Sequence, residues 1–255
     1  WGSNNGGQLN DGTQIDRNFP VKTSMTDVIS VAAGSGHSLF LKSDGSLWGI
    51  GGNNHGQLGI GNNVNQSTLV NIDNNVTSIA AGDIHSLFIK NDGSLWAMGF
   101  NNTGQLGDGT FNNDRNSPVQ IEASGVIAIA AGYQHSLFIK SDGSLWAMGN
   151  NNEQRLGYGV GPDKHSPFQI EASDVVAIAA GYEHSLFIKS DGSLWAAGGR
   201  SGVRGDGDSN YSNDPAVKVA DDVIQISAGR NQSLFIKRNG SLWGMGENAG
   251  GSLGV

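Results

Sequence analysis

Apolar and polar positions along this chain alternate with a period of two, in short runs punctuated by glycine. In residues 126–148 the run Val126-Ile-Ala-Ile-Ala-Ala-Gly132 is β-branched and ends on glycine, so it predicts a first strand, A. After two residues, His135-Ser-Leu-Phe-Ile-Lys140 predicts strand B, and Ser144-Leu-Trp-Ala-Met148 predicts strand C across the turn Ser141-Asp142-Gly143. Asp-Gly between alternating apolar runs points to a type I′ hairpin turn with positive φ at both central residues. A longer Gly/Asn-rich loop leads to a short strand D, expected at 68–72, 118–121, 167–170 and 215–219, with Pro118, Pro167 and Pro215 placed as strand starters. Strand B is apolar on both sides, Leu and Ile on one and Phe on the other, as in a sheet packed between two neighbours.

This unit recurs. HSLFLKSDGSLWGIG (37–51) returns as HSLFIKNDGSLWAMG (85–99), HSLFIKSDGSLWAMG (135–149), HSLFIKSDGSLWAAG (184–198) and QSLFIKRNGSLWGMG (232–246). The equivalent tryptophans Trp48, Trp96, Trp146, Trp195 and Trp243 are spaced by 48, 50, 49 and 48 residues. A period of this size means a repeat architecture. Four antiparallel strands per unit, packed face to face, make a blade of an all-β propeller. The whole chain, 1–255, reads as one domain with repeats at 28–75, 76–125, 126–174, 175–222, and 223–255 together with 1–27.

Each repeat carries an Ala-Gly strand end, a His-Ser-Leu strand, an Asp-Gly turn, a Trp strand and then a Gly-x-Asn-x-x-Gly-Gln-Leu-Gly loop. The loop stands as GGNNHGQLG (51–59), GFNNTGQLG (99–107) and GNNNEQRLG (149–157), decaying to GGRSGVRG (198–205). These motifs resemble the RCC1-type repeat, named for the regulator of chromosome condensation. The resemblance implies a β-propeller of four-stranded blades, usually seven, whereas about five repeats are present here. Two arrangements fit: a closed five-blade ring in which Phe19–Thr23 supplies the fourth strand beside 223–246, or part of a larger ring. The chain opens on Trp1 without an initiator Met, as a mature or trimmed product would.

Composition narrows the function. Net charge is −8 with no basic run, which argues against a nucleic-acid partner, and the longest apolar stretches are too short to insert in a membrane. There is no cysteine, hence no disulfide or thiolate metal site. The repeated His37, His85, His135 and His184 lack adjacent carboxylates and read as scaffold residues bonding a loop carbonyl, a task Gln232 can share. The tryptophans read as core. Asp206-Gly-Asp208-Ser-Asn210 begins like a calcium loop but lacks its later Glu. No triad, acid pair or cofactor fingerprint is present, so neither an enzyme nor a cofactor is expected.

What the copies share is scaffold; where they differ is where a site can be. The A–B and C–D connections lie on one face of the disc, and they diverge. Candidate partner-binding residues there are Asp83, Phe100, Tyr133, Tyr158, Tyr182, Glu183, Arg200, Arg204, Tyr211 and Arg230, rich in the Tyr and Arg favoured at binding hot spots. The expectation is a non-enzymatic module binding another protein. A lectin-like module reading glycans through Tyr and Asn/Asp is the alternative. The resemblance also extends to a GTPase exchange factor and to bacterial secreted proteins, without carrying either activity over. Similar copies with Asn/Gly-rich loops suggest a bacterial secreted or surface protein, although a cytoplasmic setting fits too.

Overall fold

A computed structural model describes residues 1–199, 202–207, 214–248 and 250–254. Five antiparallel sheets follow one another along the chain. The first holds β1 (Val28–Ala33), β2 (His37–Lys42), β3 (Leu47–Gly51) and β4 (Gln66–Asp73) in sequence order, and the second β5 (Val76–Ala81), β6 (His85–Lys90), β7 (Leu95–Gly99) and β8 (Arg115–Glu122). The third is β9 (Val126–Ala131), β10 (His135–Lys140), β11 (Leu145–Gly149) and β12 (Lys164–Glu171); the fourth is β13 (Val175–Ala180), β14 (His184–Lys189), β15 (Leu194–Gly198) and β16 (Val217–Ala220). The fifth has three strands, β17 (Val223–Ala228), β18 (Gln232–Lys237) and β19 (Leu242–Gly246). Consecutive A strands, β1, β5, β9, β13 and β17, lie side by side at the centre.

Each pair of neighbouring blades shares one apolar seam. Leu87, Ile89, Leu95 and Ala97 of the second blade meet Val126, Phe138 and Met148 of the third, and the loop residue Leu106 closes the seam from outside. The first and second blades repeat this with Leu39, Leu41 and Leu47 against Phe88 and Met98. This two-sided burial is why strand B carries apolar residues on both faces. The tryptophans are not fully core as expected: Trp48, Trp96, Trp146 and Trp195 are half-buried and Trp243 is exposed. Trp146 stacks on Phe138 at 6.1 Å and 6°, lies 4.5 Å under the Lys140 ammonium, and donates from Nε1 to Ser144 Oγ at 2.8 Å.

A polar tie crosses every seam. His135 Nε2 lies 2.9 Å from Ser185 Oγ of the next blade, and that hydroxyl donates to the Arg155 carbonyl at 2.6 Å. His37–Ser86–Gln57, His85–Ser136–Gln105 and His184–Ser233–Val203 repeat it. The serine has spent its one proton on the carbonyl, so the imidazole donates from Nε2. The bond therefore runs first to a serine of the following blade and only through it to the loop carbonyl expected from sequence. Nδ1 of all four histidines is buried without a partner. Beside each ring sits the glycine that ends strand A: a Cβ on Gly132 would lie 2.3 Å from His135 Cε1 and 2.5 Å from the Gly181 carbonyl. At Gly229, facing Gln232 in the last copy, the crowding is milder: a Cβ would lie 3.2 Å from Gln232 Oε1, tight but short of the overlap at the other four.

Three sequence expectations need correction. The B–C turn is not type I′: Gly45 is left-handed at φ 80° but Ser43 and Asp44 are not, and Gly45 N donates to the Lys42 carbonyl while Lys42 N donates to the Ser46 carbonyl. That is a three-residue loop, a type I turn closed by a left-handed glycine. It leaves Asp44 Oδ1 free to accept from both Ser46 N and Ser46 Oγ, at 2.9 and 2.6 Å. Strands β4, β8 and β12 begin earlier than expected, so Pro118 and Pro167 stand inside them. Both fall where the ladder to strand C slips, between Ala97 and Gly99 and between Ala147 and Gly149, on the outer strand of the blade where a missing N–H is tolerated.

The closed five-blade ring through Phe19–Thr23 does not form. Residues 19–23 lie in no strand, Phe19 is exposed, and among the described residues no ladder joins the two ends. The 1–17 segment instead docks on the first blade: Ser38 Oγ donates to the Gln8 carbonyl at 2.8 Å, the place Gln57 takes on the second blade. Its Gly2↔Arg17 bridge copies the Gly99↔Arg115 pairing. The outer flanks are consequently bare, with Val31 on the first blade 67% and Leu242 on the fifth 68% exposed.

Burial holds His37 and His184 down at about 4 and His85 at about 3, with His135 also well below 6.5; neighbouring Arg155 and the histidines themselves act in the same direction. Charging any of them would add a buried, unpaired N–H. Because folding depresses these pKa values, their contribution is complete above pH 6.5 and is lost as pH falls from 6.5 through about 4. We expect unfolding to take up protons in that window, costing up to about 1.4 kcal/mol per pH unit for each histidine. Denaturant titrations at successive pH values should show the loss, and His135→Gln should make it shallower.

Candidate functional site

The five A–B connections converge on the disc centre, where the strand ends Ala33-Gly34, Ala81-Gly82, Ala131-Gly132, Ala180-Gly181 and Ala228-Gly229 enclose a depression of about 330 Å³. Its rim takes one side chain from each blade in turn: Ser35, Asp83, Tyr133, Tyr182 and Arg230. The residue after the conserved glycine is fixed in position by the scaffold but free in identity. Backbone bonds lock the row, with Ser35 N donating to the Asp83 carbonyl at 3.0 Å and Asp83 N to the Gly132 carbonyl at 3.2 Å.

Within the row the rings touch. Tyr133 and Tyr182 stack with centroids 4.0 Å apart and planes 21° apart, and the Arg230 guanidinium lies 4.8 Å from the Tyr182 ring centre. Tyr182 is thus held between Tyr133 and Arg230. A hydrogen bond to the Tyr182 hydroxyl, then burial, holds the Tyr133 phenol above its ordinary value, and the Asp83 carboxylate adds to the effect. Burial raises the Asp83 carboxyl, opposed by a hydrogen bond from Ser35.

The other sequence candidates lie elsewhere. Phe100 is half-buried at the start of a C–D loop, its N–H bonded to the Ile84 carbonyl and its ring edge-on to His55 at 4.8 Å. Glu183 follows Tyr182 and supports the Arg155 charge. Tyr158 is folded into its own loop, donating to the Pro162 carbonyl and packing on Phe168 and Lys164. Arg204 is buried and paired with Asp206 at 2.5 Å. Arg200 and Tyr211 lie outside the described residues, as do Asp208 and Asn210 of the calcium-like stretch. Among the described residues no group of three His, Cys, Asp or Glu stands where it could hold a metal ion.

Two contributors stand outside the candidate set, although both lie where the copies differ in sequence. Ser35 completes the rim and bonds Asp83. Arg155, buried beneath it, donates from Nη1 to the Tyr182 carbonyl at 3.2 Å and so braces the tyrosine row from below. The signal was available: Arg155 stands where the other intact loops have Gln57 and Gln105.

The profile described as the regulator of chromosome condensation (RCC1) repeat matches residues 1–41, 44–89, 92–139 and 142–188, and a second RCC1 repeat profile matches 28–57, 76–105, 126–155 and 175–202. The chain belongs to the RCC1 repeat family. Among solved structures, human WBSCR16 superposes with a TM-score of 0.85 at 23% identity, covering 99% of this chain and 71% of that one. Prp20p from Saccharomyces cerevisiae gives 0.83 at 23% identity, covering 96% and 65%. These likenesses fix the RCC1-type propeller fold. The Ultraviolet-B receptor UVR8 of Arabidopsis thaliana is 38% identical over 69 residues, 26% of this chain and 16% of that protein.

The coupled rings of this RCC1 propeller give a spectroscopic handle. Tyr182→Phe removes the hydroxyl that raises Tyr133, so the late phenolate transition should move to lower pH, measured by ultraviolet absorbance titration. An unchanged profile would mean the two hydroxyls do not interact.

Proposed function

We propose that this RCC1 propeller is a non-catalytic binding module that recognises another protein through its A–B and C–D loop face. The observation that carries the reading is the Tyr133–Tyr182–Arg230 stack at the mouth of the central depression. Ordered aromatic and arginine side chains on a rigid scaffold lose little conformational freedom on binding, which is what a hot spot requires. Support also comes from structural neighbours: Prp20p was studied for its binding to Gsp1p and histones, and yeast RCC1 (Prp20) was solved bound to Kap60. Phe100 and Glu183 extend the surface outward. An exchange-factor activity is a narrower form of this reading that rests on likeness alone.

The geometry favours a protein over a glycan. Tyr182 has one face against Tyr133 and the other against Arg230, which leaves edges and hydroxyls, not a flat ring, for a sugar to stack on. A secreted or surface location, bacterial or otherwise, remains part of the proposal, motivated by the uniform copies and Asn/Gly-rich loops; the neighbours named above come from human, yeast and plant.

Immobilised wild-type chain should retain partners from its source-cell extract that a Tyr182→Ala/Arg230→Ala variant loses, with affinity falling by about a hundredfold or more. Equal retention by a folded double variant would count against the recognition face, and glycan-array binding sensitive to the same change would favour the lectin reading.

A further inference from the structure

Resting on the reading of this face as a recognition surface, we propose that the central depression is a slot for one cationic side chain, a lysine or arginine on a loop of the partner protein, received between the Asp83 carboxylate and the free face of Tyr133. Both side chains line the depression, from adjacent blades, and Tyr133 has its other face committed to Tyr182. Asp83 has a hydrogen bond from Ser35 and, among the described residues, no ion pair. Four lysines of the propeller pair with other carboxylates: Lys90 with Asp73, Lys140 with Glu122, Lys189 with Glu171 and Lys218 with Asp221. A half-buried carboxylate that the chain leaves without a cation, set beside an aromatic face, is the chemistry that attracts one from outside.

The volume agrees. About 330 Å³ is ample for one long side chain and too small for a folded element. The net charge of −8 draws cationic segments toward the protein. Arg230, exposed at the far end of the row, sets the orientation: it repels a second cation and accepts a carboxylate, so the matching loop carries a basic residue with an acidic one nearby. Asp83 and Arg230 fall on different blades, and so the selectivity is a property of the assembled face.

The test is a nuclear magnetic resonance titration of the full chain, reading the Tyr133 and Tyr182 ring signals. The probes are the blocked tripeptides Ac-Gly-Arg-Gly-NH2, Ac-Gly-Lys-Gly-NH2 and Ac-Gly-Glu-Gly-NH2. The two cationic peptides should give saturable shifts, with affinity falling about tenfold in Asp83→Asn, while the Glu peptide leaves Tyr133 unmoved. Tyr133→Leu, which keeps the carboxylate and removes the ring, should weaken the cationic peptides as well. Shifts that never saturate, or that persist equally in folded Asp83→Asn and Tyr133→Leu variants, overturn the slot. Partner capture that is lost in Tyr182→Ala/Arg230→Ala but untouched by Asp83→Asn removes the slot while leaving the recognition face in place; capture insensitive to either removes both.

Discussion

The structure depends on one contact made four times: an imidazole N–H reaching across a seam to a serine hydroxyl that is itself bound to a loop carbonyl. It joins three pieces of chain at once, strand B of one blade, strand B of the next, and the loop between them. Apolar seams bring blades together but are tolerant of sliding, whereas a buried hydrogen-bonded network has one satisfied geometry. The demand for space explains the glycine at the end of strand A, because any Cβ there would occupy the imidazole. A glycine, a histidine and a serine in a fixed sentence are therefore a single device. The one copy written with Gln232 is also the one whose glycine is least crowded, with the nearest contact for a Cβ at 3.2 Å against 2.2–2.3 Å at the histidine copies.

From that constraint follows the division between invariant and variable parts. With the ties fixed, the residue immediately after each glycine is carried to the same radius and height in every blade, and the five such residues meet at the centre. Nothing in the tie depends on their identity. Ser35, Asp83, Tyr133, Tyr182 and Arg230 can therefore diverge without cost to the fold, and their divergence produces a charged and aromatic row in place of a symmetric ring. The C–D loops are less free. The side-chain amide of Asn101 bonds back into its loop, its Oδ1 accepts from Leu106 N, and Asp108 holds Arg115 at 2.6 Å, so loop residues that look variable in sequence are partly structural.

Strand positions, the repeat period and the scaffold role of His and Trp were legible because they depend on local alternation and on equivalence between copies. The partner of His135 was not, since Ser185 lies 50 residues away and only the packing of blades brings it near. Turn type failed for a related reason: Asp-Gly satisfies two hairpin geometries, and the choice is made by Ser144, which donates twice to Asp142 while its hydroxyl accepts from Trp146 Nε1. The early starts of β8 and β12 depend on ladder slips that no residue type announces. For the site, the A–B residues were found by asking where the copies disagree. Tyr158 and Arg204 were drawn in by the same criterion, yet their variation is absorbed inside the loops. Arg155 is visible by that same criterion, as the arginine standing where two other loops carry Gln57 and Gln105.

The central claim is that the histidine–serine tie couples adjacent blades. A double-mutant cycle on His135→Ala and Ser185→Ala, read as unfolding free energy at pH 7.5, addresses that coupling directly. The account predicts that the double variant is more stable than the sum of the single losses implies, with a coupling energy of about 1 kcal/mol or more. Strictly additive losses would contradict it, because they would mean that His135 and Ser185 stabilise their own blades independently.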